Sequence, residues 1–352
     1  MAFRAVSEYA YVNTRIRGLK ARFLTVGDYE RLLQSPSYVE FIRGLSETYY
    51  GPLIAGEYPQ EVPNAAELGQ ILAKDYADVS YRLTRTLTGK ARAFTETYLD
   101  MFLAENIKSI LRGLHVGLDR NEILAYLVPT SPSQTQEFES LVDQGSVNRA
   151  IEMMPYWEPK IALLTRLPAY EELDSTAPLE VAVEEWYLRS VLEVLKKFPQ
   201  QDRERALDVL EARVDLRNLL TMIRALALQL DTRAIEMSMI RFTRNALTES
   251  IMNSPSWREA INKLNETRYA QLAGRLARLY EETNDISELE LAIEDYIAMR
   301  VKLQLTAYPF HIGTILGFFS LKHYEIRNLR SIAVGLERGM AADNIRRMIT
   351  IW

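Results

Sequence analysis

Few residues of this chain are suited to catalysis. Its 352 residues include three histidines, His115, His311 and His323, and no cysteine. The lack of cysteine excludes disulfides, thiolate zinc sites, iron–sulfur clusters and cysteine nucleophiles. No histidine pair has the spacing of a zinc motif, and no histidine follows a glutamate at the third position, as a carboxylate di-metal centre requires. The pattern predicts no metal site, and we expect each imidazole to have a structural role.

The sequence also lacks a nucleotide-binding motif. Gly89 and Lys90 come nearest to a phosphate-binding loop, but Ala91 follows them and Thr84 stands where the first glycine is needed. No GxGxxG or GxSxG motif occurs. The net charge of −5 gives no overall basic field for nucleic acid. We therefore predict a non-catalytic protein that binds no cofactor, no nucleotide and no nucleic acid.

Charged residues are segregated along the chain. Six acids and no base lie within 167–188, whereas six bases and three acids lie within 322–347. One interpretation is an ordinary solvated surface, and another is electrostatic docking of different partners at different places. The candidate docking residues, each of which could equally form an internal ion pair, are Arg15, Arg17, Arg327, Arg330 and Arg338.

The sequence predicts that these side chains lie on helices. Only 15 glycines and 13 prolines interrupt the chain. Apolar residues recur at helical spacing, for example from Leu216 through Ile223 to Leu226, and alternating runs are rare. We predict an all-α fold.

Several helix boundaries are marked in the sequence. Ser37–Glu40 and Ser256–Glu259 match the S-x-x-E capping box, which predicts two helix starts. Turn-forming residues predict loops over 51–63, 129–136 and 167–178.

An internal repeat organises the chain. Three helical segments align on Asn106, Asn218 and Asn328, which are 112 and 110 residues apart. An apolar residue follows each asparagine, and a small residue stands seven positions after it, namely Gly113, Ala225 and Gly335. We expect each asparagine to form a local hydrogen bond near its helix start, and the small residue to let another helix approach. The spacing predicts three similar helical units.

One segment has the length of a short membrane span. Nineteen uncharged residues separate Lys302 from Lys322. They include polar residues and a Pro-Gly break, so we favour a buried segment between helices over a membrane helix. The N-terminal residues carry charges throughout and do not resemble a secretory signal.

Three features together carry a family resemblance. They are the opening YAYVNTRIRGLKAR, the tripled N-[IL]-x-[ST] helix and the block GTILGFFSLKHYEIRNLRSIAVG at 313–335. The chain resembles the C subunit of A/V-type rotary ATPases, called the d subunit in the vacuolar enzymes. The resemblance implies a non-catalytic, funnel-shaped helical body with pseudo-threefold symmetry.

The resemblance also implies partners and a location. Members of this family lie on the cytoplasmic side of the membrane, where they sit on the rotor ring of proteolipid subunits. They receive the end of the central shaft and couple it to the ring, for ATP-linked transport of protons or sodium. We expect one copy per complex, a monomer in isolation, and a peripheral location on the inner face of the cell membrane.

The division into units follows from the repeat and the resemblance together. We expect residues 1–115 and 315–352 to form one unit, residues 116–225 a second and residues 226–314 a third. The alternative function is a soluble helical adaptor or scaffold of another complex. An α-solenoid adaptor would repeat every 33 to 47 residues or so, which is shorter than the spacing found here.

Overall fold

The computed structural model describes residues 2–243, 246–306 and 311–351. Within these ranges all regular structure is helical, so the all-α prediction is confirmed. A short 3-10 helix spans Lys263–Glu266, and the α-helices are, in chain order, α1 Ala2–Lys20, α2 Val26–Leu33, α3 Tyr38–Ser46, α4 Gly51–Glu57, α5 Ala65–Thr84, α6 Gly89–Leu99, α7 Met101–Val116, α8 Arg120–Ala125, α9 Pro132–Val142, α10 Val147–Glu152, α11 Trp157–Leu173, α12 Ala177–Leu195, α13 Gln200–Ala227, α14 Thr232–Ser238, α15 Ala246–Met252, α16 Trp257–Asn262, α17 Ala270–Thr283, α18 Ile286–Thr306, α19 Ile312–Glu337 and α20 Ala342–Arg346.

The chain divides into two compact units. The first consists of Met1–Thr95, Gln200–Ala206 and Leu291–Trp352, and the second of Glu96–Pro199 and Leu207–Glu290. The two ends of the chain therefore belong to the same unit.

Helices α5 and α19 form the core of the first unit. A stripe that includes Leu68, Leu72 and Tyr76 buries one side of α5. The described residues of α19 from Ile312 to Lys322 are all buried, which is expected of a helix that is apolar on every side. The Tyr76 hydroxyl donates a hydrogen bond of 2.6 Å to the carbonyl of Phe319 and ties the two helices together.

Helices α11 and α12 form a hairpin in the second unit. The loop predicted over 167–178 is wrong, because α11 continues through Pro168 to Leu173 and α12 begins at Ala177. A proline inside a helix frees the carbonyl four residues earlier. That residue here is Leu164, which is exposed, so water can solvate its carbonyl group. Likewise α4 occupies part of the loop predicted over 51–63, and α9 begins within the loop predicted over 129–136.

In each of the two predicted capping boxes, the serine forms its expected bond and the glutamate does not. Ser37 and Ser256 cap α3 and α16, and each hydroxyl accepts the backbone N–H three residues later. Glu40 bonds to Arg43 at 2.6 Å instead of returning to its cap, and Glu259 lies 3.6 Å from Lys263. The acid prefers a neighbouring cation on its own helix to the exposed cap amide.

The uncharged segment after Lys302 is not one helix. α18 ends at Thr306 and α19 begins at Ile312, and residues 307–310, which include the proline of the predicted break, lie outside the described residues. Of the described part, Leu303 is exposed, whereas residues 311–322 are buried. In the part of the chain that the structure describes, no helix is both long enough and apolar enough to cross a membrane.

Candidate functional site

The three repeat asparagines make the same contact. Each side-chain amide donates to the carbonyl and accepts the N–H of the residue 22 positions later, at 2.6–3.0 Å. The pairs are Asn106 with Val128, Asn218 with Ile240 and Asn328 with Thr350. All three asparagines are buried.

These bonds differ from the expected ones. The asparagines lie well inside α7, α13 and α19, not near the helix starts, and their bonds are not local. Each amide instead satisfies both polar groups of one distant peptide residue. We call this arrangement the asparagine clip. It joins a long helix to the chain that follows the next short helix.

The chain between the two ends of each clip also repeats. Eleven residues after each asparagine the backbone is left-handed, at Gly117, Gln229 and Gly339. The next residue donates its N–H to the carbonyl of the small repeat residue at 2.9 Å in all three cases. This 6→1 bond is the helix ending known as the Schellman motif. The short helices α8, α14 and α20 follow it.

The small repeat residues leave room for the short helices. A Cβ on Gly113 would lie 2.6 Å from Cγ1 of Ile123, and a Cβ on Gly335 would lie 2.6 Å from Cγ1 of Ile345. Ile123 and Ile345 are both fully buried. In the remaining repeat the residue is Ala225, and no residue of its short helix α14 is buried. Glycine thus permits a closer approach than alanine does.

A buried polar cluster connects four segments of the first unit. The Lys322 ammonium lies 2.9 Å from Asp75 and donates to the Tyr50 hydroxyl at 2.8 Å. Tyr50 in turn donates to Glu325 at 2.5 Å, and the backbone N–H of Leu24 donates to the other Glu325 oxygen at 2.7 Å. The cluster therefore holds α4, α5 and the turn after α1 against α19.

Burial controls the ionisation of this cluster. It raises the pKa of Glu325, and the neighbouring Lys322 ammonium offsets that rise only in part. Burial and the Glu325 carboxylate also raise the pKa of Tyr50 well above its usual range, so this hydroxyl remains a donor. The arrangement is a structural ion network, with one lysine between two carboxylates.

A related pair occurs in the second unit. Tyr50 and Tyr269 each lie 13 residues after a helix-capping serine, Ser37 or Ser256. Tyr269 donates to Asp215 at 2.6 Å, and Asp215, like Glu325, stands three residues before a repeat asparagine.

The repeat that contains Asn106 and Ser146 lacks both the tyrosine and the acid. Leu103 stands three residues before Asn106, and Pro159 stands 13 residues after the capping residue Ser146. The tyrosine and the carboxylate that accepts its hydrogen bond are thus both present in two repeats and both replaced in the remaining one. Such joint replacement is expected of groups that bond to each other.

The candidate docking arginines do not share one environment. Arg15 and Arg17 on α1 and Arg338 at the end of α19 are exposed. Arg327 is half-buried, 3.2 Å from Glu294, and it also bonds to Thr350. Arg330 packs beside Gly69, where a Cβ would lie 3.2 Å from its Nε atom.

The acidic stretch at 167–188 is largely neutralised by the fold. Glu184 bonds to the buried Lys108 at 2.8 Å. Burial raises the pKa of the Glu184 carboxyl, but the Lys108 ammonium and Arg217 together outweigh burial and lower it. Three further acids face bases on other helices, namely Glu172 with Arg233, Glu180 with Arg112 and Glu185 with Arg166. Segregation in the sequence therefore does not produce an equally segregated surface.

The histidines lie apart and serve the fold. His115 contacts the hydroxyl of Tyr170 at 3.3 Å, and the buried His311 stands at the N-cap position of α19. His323 packs against the rings of Tyr76 and Tyr324. Over the described ranges, no three acidic or histidine side chains are grouped so that they could hold a metal ion.

Comparison with known proteins places the chain in a family. Residues 12–348 match the family model described as ATP synthase (C/AC39) subunit. The chain is similar to the A-type ATP synthase C subunit of Methanocaldococcus jannaschii, with 24% identity over 98% of this chain and 86% of the relative.

Two further relatives carry the same description. The C subunit of Methanothermobacter thermautotrophicus is 26% identical over 92% of this chain and 83% of its own length. That of Haloferax volcanii is 25% identical over 97% of both chains. The similarity thus extends over the whole length, repeats included.

Proposed function

The chain belongs to the ATP synthase (C/AC39) subunit family, and from this premise we propose that it is the central-stalk C subunit of an A/V-type rotary ATPase. Its role is to couple the rotating shaft to the membrane rotor ring during ATP-linked transport of protons or sodium. The family match over residues 12–348 carries the proposal. Relatives described as C subunits of A-type ATP synthases support it along the full length.

We propose that the chain contributes no catalytic group. The sequence offers no phosphate-binding loop; His115 and His323 contact aromatic rings, and His311 is buried at the start of α19. In this proposal the chemistry belongs to other subunits, and this chain transmits force. No observation favours the alternative of an adaptor in an unrelated complex.

The internal bonding suits a part that must not deform. Three asparagine clips fix the chain after each repeat helix, and the Lys322 cluster fixes four segments of the first unit. Bonds that are buried and shielded from water resist local opening better than surface contacts. We keep the three-unit division as part of this proposal, with residues 1–115 and 315–352 together, residues 116–225 and residues 226–314.

Docking is proposed to use exposed charges. Arg15, Arg17 and Arg338 are exposed, whereas Arg327 and Arg330 are also held within the fold. The proposed location is peripheral, on the cytoplasmic face of the membrane, with one copy per complex. Charge-based docking of this kind weakens as salt rises.

A binding experiment tests the proposal. The full chain is immobilised and exposed separately to the detergent-solubilised proteolipid ring and to the purified shaft subunits. Binding of both partners is expected, and binding of neither would overturn the proposal.

Charge reversal tests the docking residues. Arg15→Glu, Arg17→Glu and Arg338→Glu combined should weaken binding to at least one partner about tenfold at low ionic strength. The control is Arg43→Glu, which reverses another exposed base of the first unit. Equal affinity of the triple variant and the control at low salt would exclude these arginines as docking residues.

A further inference from the structure

A cavity in the second unit lies between α12, α13 and α14. Its volume is about 250 Å³, which gives room for a small ion together with several water molecules. Two bases, Arg217 and Arg224, line it from α13, and one acid, Glu180, lines it from α12. Glu180 accepts the Thr176 hydroxyl at 2.8 Å and lies 3.6 Å from Arg112. The side chains that line the cavity therefore carry more positive than negative charge.

The cavity occurs in the repeat whose short helix packs least closely. Ala225 lines it, and no residue of α14 is buried. In the other two repeats, Ile123 and Ile345 are fully buried beside the glycine that takes the place of alanine. The corresponding isoleucine of α14, Ile235, is only partly buried. An isoleucine thus packs at this place in two repeats, and a cavity lies there in the repeat that contains Asn218.

Three polar side chains of α13 line the cavity. Arg217, Thr221 and Arg224 stand at positions i, i+4 and i+7, so they lie on one face of the helix. The Thr221 hydroxyl makes no hydrogen bond to any residue that the structure describes. The two guanidiniums and this hydroxyl can therefore all donate to one group placed between them.

The repeat shows that this set is not a requirement of the shared fold. The position of Arg224 holds Val334 in one of the other repeats, and the position of Arg217 holds Glu105 in the remaining one. Both of those repeats form the same long helix and the same asparagine clip. The two arginines occur together only in the repeat that has the cavity.

The acids near the two arginines leave donors available. Arg217 lies 3.7 Å from Glu184, whose carboxylate also bonds to Lys108, and Arg224 pairs with Glu290. A guanidinium has more N–H donors than one carboxylate can accept. Burial and the charge of Arg217 also lower the pKa of Arg224. Negative charge in the cavity would therefore stabilise both guanidiniums.

We propose that this cavity binds a small oxyanion of the phosphate class. The ion bridges the guanidiniums of Arg217 and Arg224, because a tetrahedral oxyanion accepts several N–H groups at once. Thr221 donates its hydroxyl to a further oxygen of the ion. The proposal concerns the second unit alone and does not depend on the coupling role.

Calorimetric titration of the full chain with inorganic phosphate at constant ionic strength tests the site. We expect saturable binding, and the double variant Arg217→Gln, Arg224→Gln should bind about tenfold or more weakly. The control is Arg275→Gln with Arg278→Gln, which removes two exposed bases of the same unit and should keep the affinity of the unaltered chain. No saturable binding up to about 10 mM phosphate, or equal affinities of the two double variants, would overturn the proposal.

A second variant keeps both arginines and their ion pairs. Thr221→Val removes one donor of the site and should weaken phosphate binding about fivefold. Ser109→Ala removes the hydroxyl at the same position of another repeat and should leave the affinity unchanged. Phosphate should also raise the thermal midpoint of the unaltered chain but not that of the arginine variant. Equal losses of affinity from Thr221→Val and Ser109→Ala would show that the ion binds elsewhere.

Lipid headgroups carry the same phosphate chemistry as the free ion. Sedimentation with vesicles of phosphatidylglycerol distinguishes the two sources. We expect the unaltered chain and the arginine variant to sediment equally, because the site takes the free ion. Loss of vesicle binding in the arginine variant, without binding of free phosphate to the unaltered chain, would assign these arginines to a membrane surface and overturn the proposal.

Discussion

At the scale of single residues, the asparagine clip is the most informative feature. One side-chain amide satisfies a donor and an acceptor of a peptide residue 22 positions later, and this occurs three times. An amide that both donates and accepts is required, so aspartate or leucine could not replace it. Its removal leaves one backbone N–H and one backbone carbonyl without this partner.

The central clip can be tested by mutation. Asn218→Ala should lower the free energy of unfolding by about 2–4 kcal/mol, because the N–H and carbonyl of Ile240 lose their partners in a buried site. Urea denaturation followed by circular dichroism measures the change. Asn265→Ala, at an exposed position, is the control and should alter stability by less than about 0.5 kcal/mol. If the two variants were equally stable, the clip would have no structural role.

The buried carboxylate predicts a pH dependence. Burial raises the pKa of Glu325 above its ordinary value of 4.5, so the unfolded chain loses this proton at lower pH than the folded chain does. The contribution of Glu325 to stability is therefore complete below pH 4.5 and declines as the pH rises through the folded pKa.

Glu325→Gln removes this titration while keeping an acceptor for Leu24. Relative to the natural chain, the variant should gain stability as the pH is raised from 4.5 towards neutrality. Unfolding by urea over that range gives the difference. A difference that stays constant with pH would contradict the account of this cluster.

At the scale of helices, the three repeats differ in how closely the short helix packs against the long helix that precedes it. Glycine at 113 and 335 accompanies a fully buried isoleucine ten residues later, whereas alanine at 225 accompanies Ile235, which is only partly buried. Burial of the isoleucine of the short helix thus accompanies glycine, and its partial exposure accompanies alanine.

This relation predicts opposite effects for two similar substitutions. Gly335→Ala should destabilise the chain by about 1–3 kcal/mol, because the added Cβ would lie 2.6 Å from Ile345. Gly274→Ala, in the exposed part of α17 with no atom within 4 Å of the new Cβ, should instead stabilise it by about 0.5–1 kcal/mol. Thermal and urea unfolding of both variants checks the signs. Destabilisation by both would show that the effect is not one of helix approach.

Sequence patterns predict some of these elements and not others. Helical periodicity and the repeat predict the all-α class, because burial of one helix side leaves a local signal. The loop over 167–178 was mispredicted because an exposed Pro168 is tolerated within α11. The partners of the asparagines could not be predicted, since a bond between residues 22 positions apart has no local pattern. The equal spacing of the left-handed residues at 117, 229 and 339 becomes informative only after the clips are seen.

The sequence does not show which side chains of the candidate site are exposed and which are paired within the fold. Arg327 and Arg338 are alike in sequence, yet one pairs with Glu294 and the other is exposed, which only the packing decides.

At the scale of the whole molecule, the proposed function predicts that the purified chain is a monomer without detergent. Size-exclusion chromatography with light scattering measures this, and 40.5 kDa is the expected mass. Binding to partners should also weaken as the salt concentration rises. A stable dimer, or precipitation in the absence of detergent, would contradict the picture of a single coupling subunit.

The most direct test of the central claim compares ATP hydrolysis with ion pumping in reconstituted vesicles. Complexes lacking this chain should hydrolyse ATP but transport neither protons nor sodium, because shaft and ring are disconnected. Addition of the purified chain should restore transport. Transport at the normal rate in its absence, or loss of ATP hydrolysis itself, would contradict the coupling role.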